Sequence, residues 1–328
     1  MSSRFDDEEK LCQYLRAEIF PQIAPPPYGE IKIKQFMDQK PVYLIHEQGR
    51  GIKVVGKLFD SDYMSHDKAL RYAKQGFHNL KWAREQFGMD NGRYRVVAPL
   101  GINNARSPVL ITEMAPGKIL DHYVARAIYE EQSGPLFDKL TCLAQFFAKL
   151  HQNSETKQHV SPDLPRSYLR KLLHSLQKHL INSSERHTIE KYARKWWDQN
   201  DVFADYLVTV HGDATPTNFF IYHHDVIGID LEKMKCADRC WDLGFMAAEL
   251  KHHFMWRRGD GWAAEPFIGH FLWEYARTYD EKTFFMITRK LPLYMSLGLL
   301  RIARNTWLDE PHRRNLALEA KRCLKYGR

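Results

Sequence analysis

The sequence predicts an α+β protein with two lobes, a smaller one built on an antiparallel sheet and a larger one that is mainly helical. Strand-like patterns fill most of residues 28–112, whereas helical periodicity dominates residues 113–328. The chain has 328 residues and is 44% hydrophobic, which is enough to bury one large core or two moderate ones. A sheet-rich first third followed by a helical remainder is typical of this fold class.

An amphipathic helix is predicted over residues 7–20, before the sheet begins. Its first turn is acidic, where the helix dipole favours negative charge. Its apolar stripe consists of Leu11, Tyr14, Leu15 and Ile19. Three consecutive prolines at residues 25–27 end the helix. We therefore expect residues 1–27 to form an N-terminal helix and a proline-rich connector.

Three strands joined by tight turns are predicted next, at residues 31–36, 42–47 and 52–59. Short strands in this close succession form an antiparallel meander. A helix is then predicted over residues 66–87. Two further strands follow at residues 94–99 and 108–112, and they complete the sheet of the smaller lobe.

The pattern changes after Glu113, where the connector MAPGKIL contains both proline and glycine. The remainder is mainly helical, with helices predicted at residues 136–151, 168–180 and 185–197 and several more from residue 242 onward. Two strand-like pieces interrupt the helices, LVTVHGD with its continuation NFFIYHH, and then VIGIDLE. The larger lobe is therefore expected to carry a small β insert.

The net charge of +8 is concentrated in two regions. Residues 289–328 contain ten Lys and Arg against three Asp and Glu, and residues 166–198 contain eight against three. The rest of the molecule is therefore slightly acidic. Regional basicity of this kind indicates contact with an anionic partner or charge that serves solubility.

Cysteine usage and the chain start predict a cytoplasmic protein. The five cysteines are odd in number and lack CxxC spacing, which suits a reducing compartment. The start MSSRFDDEEK is acidic, and no run of 18 apolar residues suggests a transmembrane segment. The doublets at residues 223–224 and 252–253 are interpreted as surface histidines, because neighbouring residues point to different faces of a helix or strand.

The strongest chemical signal is the segment His211-Gly212-Asp213, with Asn218 five positions after the aspartate and Asp230 within VIGIDLE. Phosphoryl transfer needs a carboxylate that orients the attacking hydroxyl and accepts its proton, and Asp213 fits. It also needs hard oxygen ligands for Mg²⁺, which Asn218 and Asp230 can supply. A strand, a loop and a second strand would bring these two residues to one mouth of the helical lobe.

These residues resemble the superfamily of aminoglycoside phosphotransferases, choline kinases and related small-molecule kinases, whose pattern is HGDxxxxN followed by a hydrophobic-Asp segment. The resemblance implies a two-lobed protein-kinase-like fold with a nucleotide-binding N-lobe at residues 28–112 and a C-lobe at residues 113–328. It implies that Asp213 is the catalytic base, that Asn218 and Asp230 hold Mg²⁺, and that His211 supports the catalytic loop.

Further pieces of the sequence extend the resemblance to residues 28–260. The segment DRCWDLG looks like the family's D-P-x-Y-D-L-A, in which the second aspartate, here Asp242, braces the catalytic loop. Lys57 looks like the lysine that holds the α- and β-phosphates of ATP or GTP. VLITEMAPG resembles the connector that grips the nucleotide base, which implies a role for Glu113, Met114 and Ala115.

Two features depart from the family pattern. The turn at residues 37–41 has no glycine, so the G-x-G-x-x-G loop of protein kinases is absent there. The lysine should also pair with a glutamate on the following helix, but Gly76 occupies that position. Gln75 or Glu85 could serve instead, or the pair could be missing.

The role of Glu232, two residues after Asp230, has two possible interpretations. It is either a further metal ligand or a solvated charge.

The charge distribution bears on the acceptor. In the resembling family the acceptor binds to the two segments that are basic here, which argues against cationic acceptors and favours a neutral or anionic small molecule or glycan unit. RNA remains open but is not favoured, and peripheral contact with an anionic surface is compatible with the same charges.

Three functions are therefore considered: a kinase for a metabolite or glycan, a kinase for protein or RNA, and a nucleotide-binding pseudokinase or scaffold. Intact Asp213, Asn218 and Asp230 disfavour the last, and the missing phosphate-loop glycines disfavour a protein substrate.

Overall fold

The computed structural model describes residues 8–37, 40–59, 64–199 and 203–327. The chain divides into two compact units. The first contains the described residues up to Pro116 together with Ile227–Lys233, and the second contains Gly117–Val226 and Met234 onward. The short segment Ile227–Lys233 thus belongs to the first unit, although it lies within the sequence range predicted for the helical lobe.

The first unit is built on a five-stranded antiparallel sheet. Its elements are α1 (Glu8–Tyr14), β1 (Ile31–Met37), β2 (Lys40–Glu47), β3 (Lys53–Leu58), α2 (His66–Phe87), β4 (Tyr94–Val96), β5 (Pro99–Asn103) and β6 (Val109–Glu113). The strand order in the sheet is β1-β2-β3-β6-β5. Lys57 on β3 lies opposite Val42 on β2 and Leu110 on β6. The meander and the helix after it therefore form as predicted.

The N-terminal helix packs on the sheet of this unit, but it is not a continuous α-helix. After α1 the chain continues as a π-helical turn over Leu15–Ile19 and a 3₁₀ turn over Phe20–Gln22. The side chains of Leu15, Ile19 and Phe20 are buried in one core with Ile45, Val54 and Ile111. The predicted apolar stripe is correct, and the wider turn is a local adjustment that the periodicity does not reveal.

The second unit is mainly helical and carries short β ladders. Its elements are β7 (Lys118–Ile119), α3 (Leu120–Tyr129), α4 (Ser133–Asn153), α5 (Asp163–Gln177), α6 (Ser183–Trp197), β8 (Val208–Val210), β9 (Phe219–Tyr222), β10 (Asp225–Gly228), β11 (Lys235–Ala237), α7 (Cys240–Arg258), α8 (Glu265–Ala276), α9 (Glu281–Ala303) and α10 (Glu310–Tyr326). Strand β7 pairs with β9, β8 pairs with β11, and β10 contains the boundary between the units. These features confirm the α+β prediction, whereas α3 was not predicted.

Helices α7 and α9 pack closely through glycine. A Cβ atom at Gly244 would lie 2.4 Å from Cβ of Tyr294, and one at Gly298 would lie 2.5 Å from Cβ of Ala248. Glycine is therefore required at both positions for the two helices to approach.

None of the described helices is both long and apolar enough to cross a membrane.

The histidine doublet on α7 corrects one prediction, because His252 and His253 are buried, with 3% and 8% of their surface exposed. Helix α7 is covered nearly all round, so neighbouring residues on different faces both meet protein. The Nδ1 atom of His252 lies 2.9 Å from Nε2 of His312, and Nε2 of His253 lies 3.5 Å from a carboxylate oxygen of Asp121.

Burial gives these histidines a measurable effect on acid stability. Burial lowers the pKa of His252 to about 2 and that of His253 to about 4. The unfolded chain binds protons at both residues below its pKa of about 6.5, whereas the folded chain stays neutral there until the lower values are reached. The free energy of unfolding therefore falls as pH drops from about 6.5, by up to about 1.4 kcal/mol per pH unit for each histidine.

We expect His252→Gln to flatten this acid dependence, whatever it does to stability at pH 7. Urea denaturation at pH 7, 6 and 5 measures the slope. His179→Gln, at an exposed position, is the matched control and should keep the wild-type slope. An unchanged slope in His252→Gln would show that His252 is not buried in its neutral form.

Candidate active site

The predicted catalytic loop follows β8, and a buried aspartate on α7 holds its backbone. The Asp242 carboxylate accepts the backbone N–H groups of His211 at 2.6 Å and Gly212 at 2.9 Å. Nε2 of His151 lies 3.2 Å from the same carboxylate. The left-handed φ of 80° at Gly212 is a conformation that glycine adopts without strain. Because Asp242 and His151 are fully buried, these contacts fix the start of the loop.

Two further contacts within the loop surround Asp213. The Asp213 backbone N–H donates to Nδ1 of the buried His211 at 3.3 Å. The amide nitrogen of Asn218 donates to the Asp213 carbonyl at 2.9 Å. This hydrogen bond orients the Asn218 side chain so that its amide oxygen is the atom that can serve as a metal ligand. His211, Asp213, Asn218 and Asp242 are thus brought together in the second unit.

Arg301, near the end of α9, is a residue of this site that sequence reasoning missed. Its guanidinium forms an ion pair with the Asp213 carboxylate, and it lies 3.9 Å from Glu249 and 5.4 Å from the centre of the Phe245 ring. The side chains of Arg301 and Asp213 are only 16% and 14% exposed. The sequence showed a basic C-terminal region, but nothing in it singled out Arg301 as an arginine that reaches the loop.

The first unit gathers a second group of predicted site residues around Lys57. The lysine forms ion pairs with Asp230 and, at 2.6 Å, with Glu232. Burial by itself lowers the pKa of Lys57, but the two carboxylates outweigh that effect and raise it. Burial and the neighbouring Asp230 raise the pKa of Glu232 to about 7, against the opposing effect of Lys57. Two carboxylates therefore share one ammonium group.

The backbone around Asp230 is held in an unusual conformation. Asp230 has a φ of 66°, in the left-handed region that residues other than glycine rarely adopt. The next carbonyl, that of Leu231, accepts a hydrogen bond of 2.6 Å from the Asn79 amide on α2, and Gln75 donates to Asn79 at 2.7 Å. Such conformations persist where surrounding contacts determine them, and they cluster at functional sites.

The partner of Lys57 is therefore not one of the helix residues considered from the sequence. Among the described residues Gln75 bonds to Asn79, and Glu85 lies 3.8 Å from Lys81 on the exposed side of α2. The carboxylates that meet Lys57 both come from the segment after β10. For Glu232, the reading as a solvated charge is wrong, since its side chain is only 18% exposed.

The segment at the end of β6 is stabilised by its own glutamate. The Glu113 carboxylate pairs with Arg95 and accepts the Ala98 backbone N–H at 3.1 Å. The backbone N–H of Glu113 in turn donates to the Ala98 carbonyl at 2.9 Å. The Glu113 side chain is thus engaged within the first unit, so a role of residues 113–115 in nucleotide binding would fall to their backbone.

The two residues predicted to bind magnesium lie in different units, Asp230 in the first and Asn218 in the second. Within the described residues, no group of three or more His, Cys, Asp or Glu side chains is arranged to hold a metal. Magnesium does not require such a group, because it is usually bound by one or two protein oxygen ligands together with water and substrate phosphates. The carboxylate of Asp230 and the amide oxygen of Asn218 are ligands of that kind.

Comparison with solved structures agrees with the fold. An amicoumacin kinase in complex with AMP-PNP, Ca²⁺ and amicoumacin superposes with a TM-score of 0.63 at 15% identity, covering 98% of this chain and 94% of its own. An ethanolamine kinase from Plasmodium vivax gives 0.57 at 14% identity, covering 98% and 89%. The GDP complex of aminoglycoside 2'-phosphotransferase-IIIa gives 0.58 at 13% identity, covering 97% and 99%. The predicted kinase-like fold is confirmed.

Sequence comparison gives the family. No curated protein sequence matches the chain. A family model described as the phosphotransferase enzyme family matches residues 42–280, which is well over half of the protein and includes Lys57, the catalytic-loop motif and Asp242. The resemblance seen in the motifs is confirmed by this match, and with it the prediction of a phosphotransferase that acts on hydroxyl groups. The chain belongs to the phosphotransferase enzyme family.

Proposed function

We propose that this protein is a Mg²⁺-dependent kinase that moves the γ-phosphate of ATP or GTP to a hydroxyl of a small molecule or glycan unit, with a neutral or anionic acceptor. The observation that carries the proposal is the tethered loop around Asp213. A carboxylate fixed in this way is positioned before substrate arrives, and such positioning is what phosphoryl transfer asks of a protein.

In the proposed reaction, Asp213 accepts the proton of the acceptor hydroxyl while the acceptor oxygen forms a bond to the γ-phosphorus. The bond from that phosphorus to the bridging oxygen breaks, and the nucleoside diphosphate leaves with the electron pair. Lys57 holds the α- and β-phosphates, and the backbone of Glu113, Met114 and Ala115 holds the nucleotide base. His211 and Asp242 keep the loop in place.

Asn218 and Asp230 would hold the magnesium ion. When bound, the ion neutralises charge on the β- and γ-phosphates. Asn218 contributes its amide oxygen, which the hydrogen bond to the Asp213 carbonyl orients. Asp230 contributes its carboxylate, which forms an ion pair with Lys57. Both side chains are short and each is held by a polar contact, so little side-chain freedom is lost when the ion binds.

The positions of the basic residues support the proposed acceptor class. A depression of about 230 Å³ on α5 and α6 is lined by Arg166, Leu169, Arg170, Glu190, Arg194 and Trp197. The one carboxylate of this lining, Glu190, is already paired with Arg186 at 2.9 Å. Three exposed arginines beside a half-buried tryptophan suit an anionic or sugar-like group and repel a cationic one. This charge pattern supports a neutral or anionic acceptor rather than a cationic antibiotic.

The proposed function can be tested by incubating the protein with γ-labelled ATP or GTP, Mg²⁺ and a cell extract. We expect label in a low-mass or glycan-containing fraction. Chelation with EDTA should abolish the transfer, and excess Mg²⁺ should restore it, because the ion would neutralise the charge that the nucleotide phosphates carry during the transfer of the γ-phosphate. Label that persists in EDTA would contradict the metal dependence.

Where the label appears distinguishes the alternatives. Label in protein or in ribonuclease-sensitive material would favour a macromolecule kinase. Nucleotide binding without any transfer would favour a scaffold. A cytoplasmic location is part of the same proposal, because the five cysteines are odd in number and lack CxxC spacing.

A further inference from the structure

A lysine that holds nucleotide phosphates is expected to pair with a carboxylate that keeps its ammonium group in place. By the family resemblance that carboxylate should come from the helix after β3, but Gly76 stands at the expected position on α2. The structure shows that Lys57 nevertheless has an acidic partner besides Asp230. Glu232 meets it at 2.6 Å, from a different part of the chain.

We propose that Glu232 is the positioning residue that replaces the helix glutamate, and that Gly76 is glycine because Glu232 occupies the space its side chain would need. The proposal rests on the proposed function, since it concerns the lysine that would hold the nucleotide phosphates. It assigns a role to Gly76, at which the sequence departs from the family pattern, and to Glu232, whose role the sequence left open.

The space around Gly76 supports the replacement of a helix glutamate by Glu232. A Cβ atom at Gly76 would lie 3.1 Å from Cγ of Glu232 and 3.2 Å from Cδ2 of Leu110. Gly76 is buried, so a larger side chain has no room to turn outward. A glutamate on α2 and a glutamate at position 232 would compete for the same volume and place two like charges together. The chain therefore has room for one of them.

The segment that carries Glu232 is fastened to the same helix. The Leu231 carbonyl accepts the hydrogen bond from Asn79, which lies one turn after Gly76 on α2. Asn79 is buried, with 3% of its surface exposed, and Gln75 donates to it at 2.7 Å. Glu232 thus has a fixed position relative to α2. The carboxylate of Glu232 can therefore restrain Lys57 in the same way as the carboxylate of a glutamate on α2 would.

The test is a double-mutant cycle between positions 76 and 232, read by binding of AMP-PNP or GMP-PNP in the presence of Mg²⁺. Glu232→Gly removes the carboxylate, and Gly76→Glu adds a second one where Glu232 already lies. Each single change should weaken nucleotide binding by about ten-fold, and the combination G76E/E232G should return to within about three-fold of wild type. Calorimetric titration measures the affinities.

Thermal unfolding of the ligand-free variants gives an independent readout. Each single change should lower the melting temperature by about 3 °C, and the combination should recover most of that loss. Glu232→Gln keeps the size of the side chain and removes only its charge. It should therefore fold like wild type and still weaken nucleotide binding, which keeps the test valid if Glu232→Gly is poorly folded. Glu85→Gln, on the exposed side of α2, should leave nucleotide binding unchanged.

Different results would contradict different parts of the argument. Additive losses in the double variant would contradict the proposal that Glu232 replaces a helix glutamate. If Glu232 is instead a metal ligand, Glu232→Gln will raise the Mg²⁺ concentration needed for half-maximal binding and G76E/E232G will not recover. If the wild-type protein binds neither nucleotide, the proposed function fails, and the thermal cycle alone decides whether Glu232 and Gly76 are coupled.

Discussion

Replacing Asp213 by asparagine is expected to lower kcat by about 10³-fold while nucleotide affinity stays within about two-fold of wild type. The substitution keeps the size of the side chain but removes the carboxylate that we propose as acceptor of the hydroxyl proton. The Asn218 hydrogen bond goes to the Asp213 carbonyl and therefore remains. Phosphoryl transfer under single-turnover conditions and titration with AMP-PNP measure the two quantities.

Asp138→Asn is a matched control, because Asp138 is exposed on α4. This variant should transfer phosphate at the wild-type rate. An Asp213→Asn protein that keeps more than about a tenth of the wild-type kcat would contradict the assignment of the base.

A variant of Arg301 distinguishes the effect of the guanidinium that pairs with Asp213 from the effect of the Asp213 carboxylate itself. Arg301→Gln leaves the Asp213 carboxylate but removes the guanidinium that pairs with it. We expect a smaller loss of kcat, about ten-fold, because a positioning contact is lost and not the proton acceptor. Adding Arg301→Gln to Asp213→Asn should cause little further loss, since residues that act as a unit are not additive.

The largest effect on stability is expected for Asp242→Ala, at about 3–5 kcal/mol. The substitution would leave two backbone N–H groups of the catalytic loop and the His151 ring without their shared acceptor, and Asp242 and His151 are fully buried. Urea denaturation gives the change in the free energy of unfolding.

Asp260→Ala is the matched control for this measurement. Asp260 also accepts one backbone N–H, that of Trp262 at 2.8 Å, but it is exposed. We expect a loss of about 1 kcal/mol or less there, because water can replace the lost acceptor. Equal losses in the two variants would mean that burial of Asp242 does not hold the loop.

The parts of the fold that were predictable have local signals. Short segments rich in strand-forming residues, separated by turn-like segments, mark β1, β2 and β3, and α2 spans the predicted residues 66–87. The motif around Asp213 was readable because its residues lie within one short segment, where spacing along the chain limits spacing in the structure. Asp242 was found in the same way, from a second short motif.

The parts that could not be predicted depend on contacts between distant residues. Arg301 reaches Asp213 from α9, and no pattern within α9 distinguishes it from the other basic residues nearby. His252 was assigned to the surface because neighbouring residues point to different faces of a helix, but α7 is surrounded by protein. In both cases the surroundings of the side chain depend on which other elements pack against its helix. A single sequence does not show which elements those are.

The pairing of Gly76 with Glu232 affects how kinase-like sequences are sorted into active and inactive members. A search that requires a glutamate on the helix after the lysine strand would class this chain as catalytically dead. A carboxylate is present, but it belongs to Glu232, two residues after the aspartate proposed to bind the metal, and it meets Lys57 from there. A glycine on the helix together with a glutamate two residues after that aspartate is therefore a sequence signature to look for in other chains that have been set aside as pseudokinases.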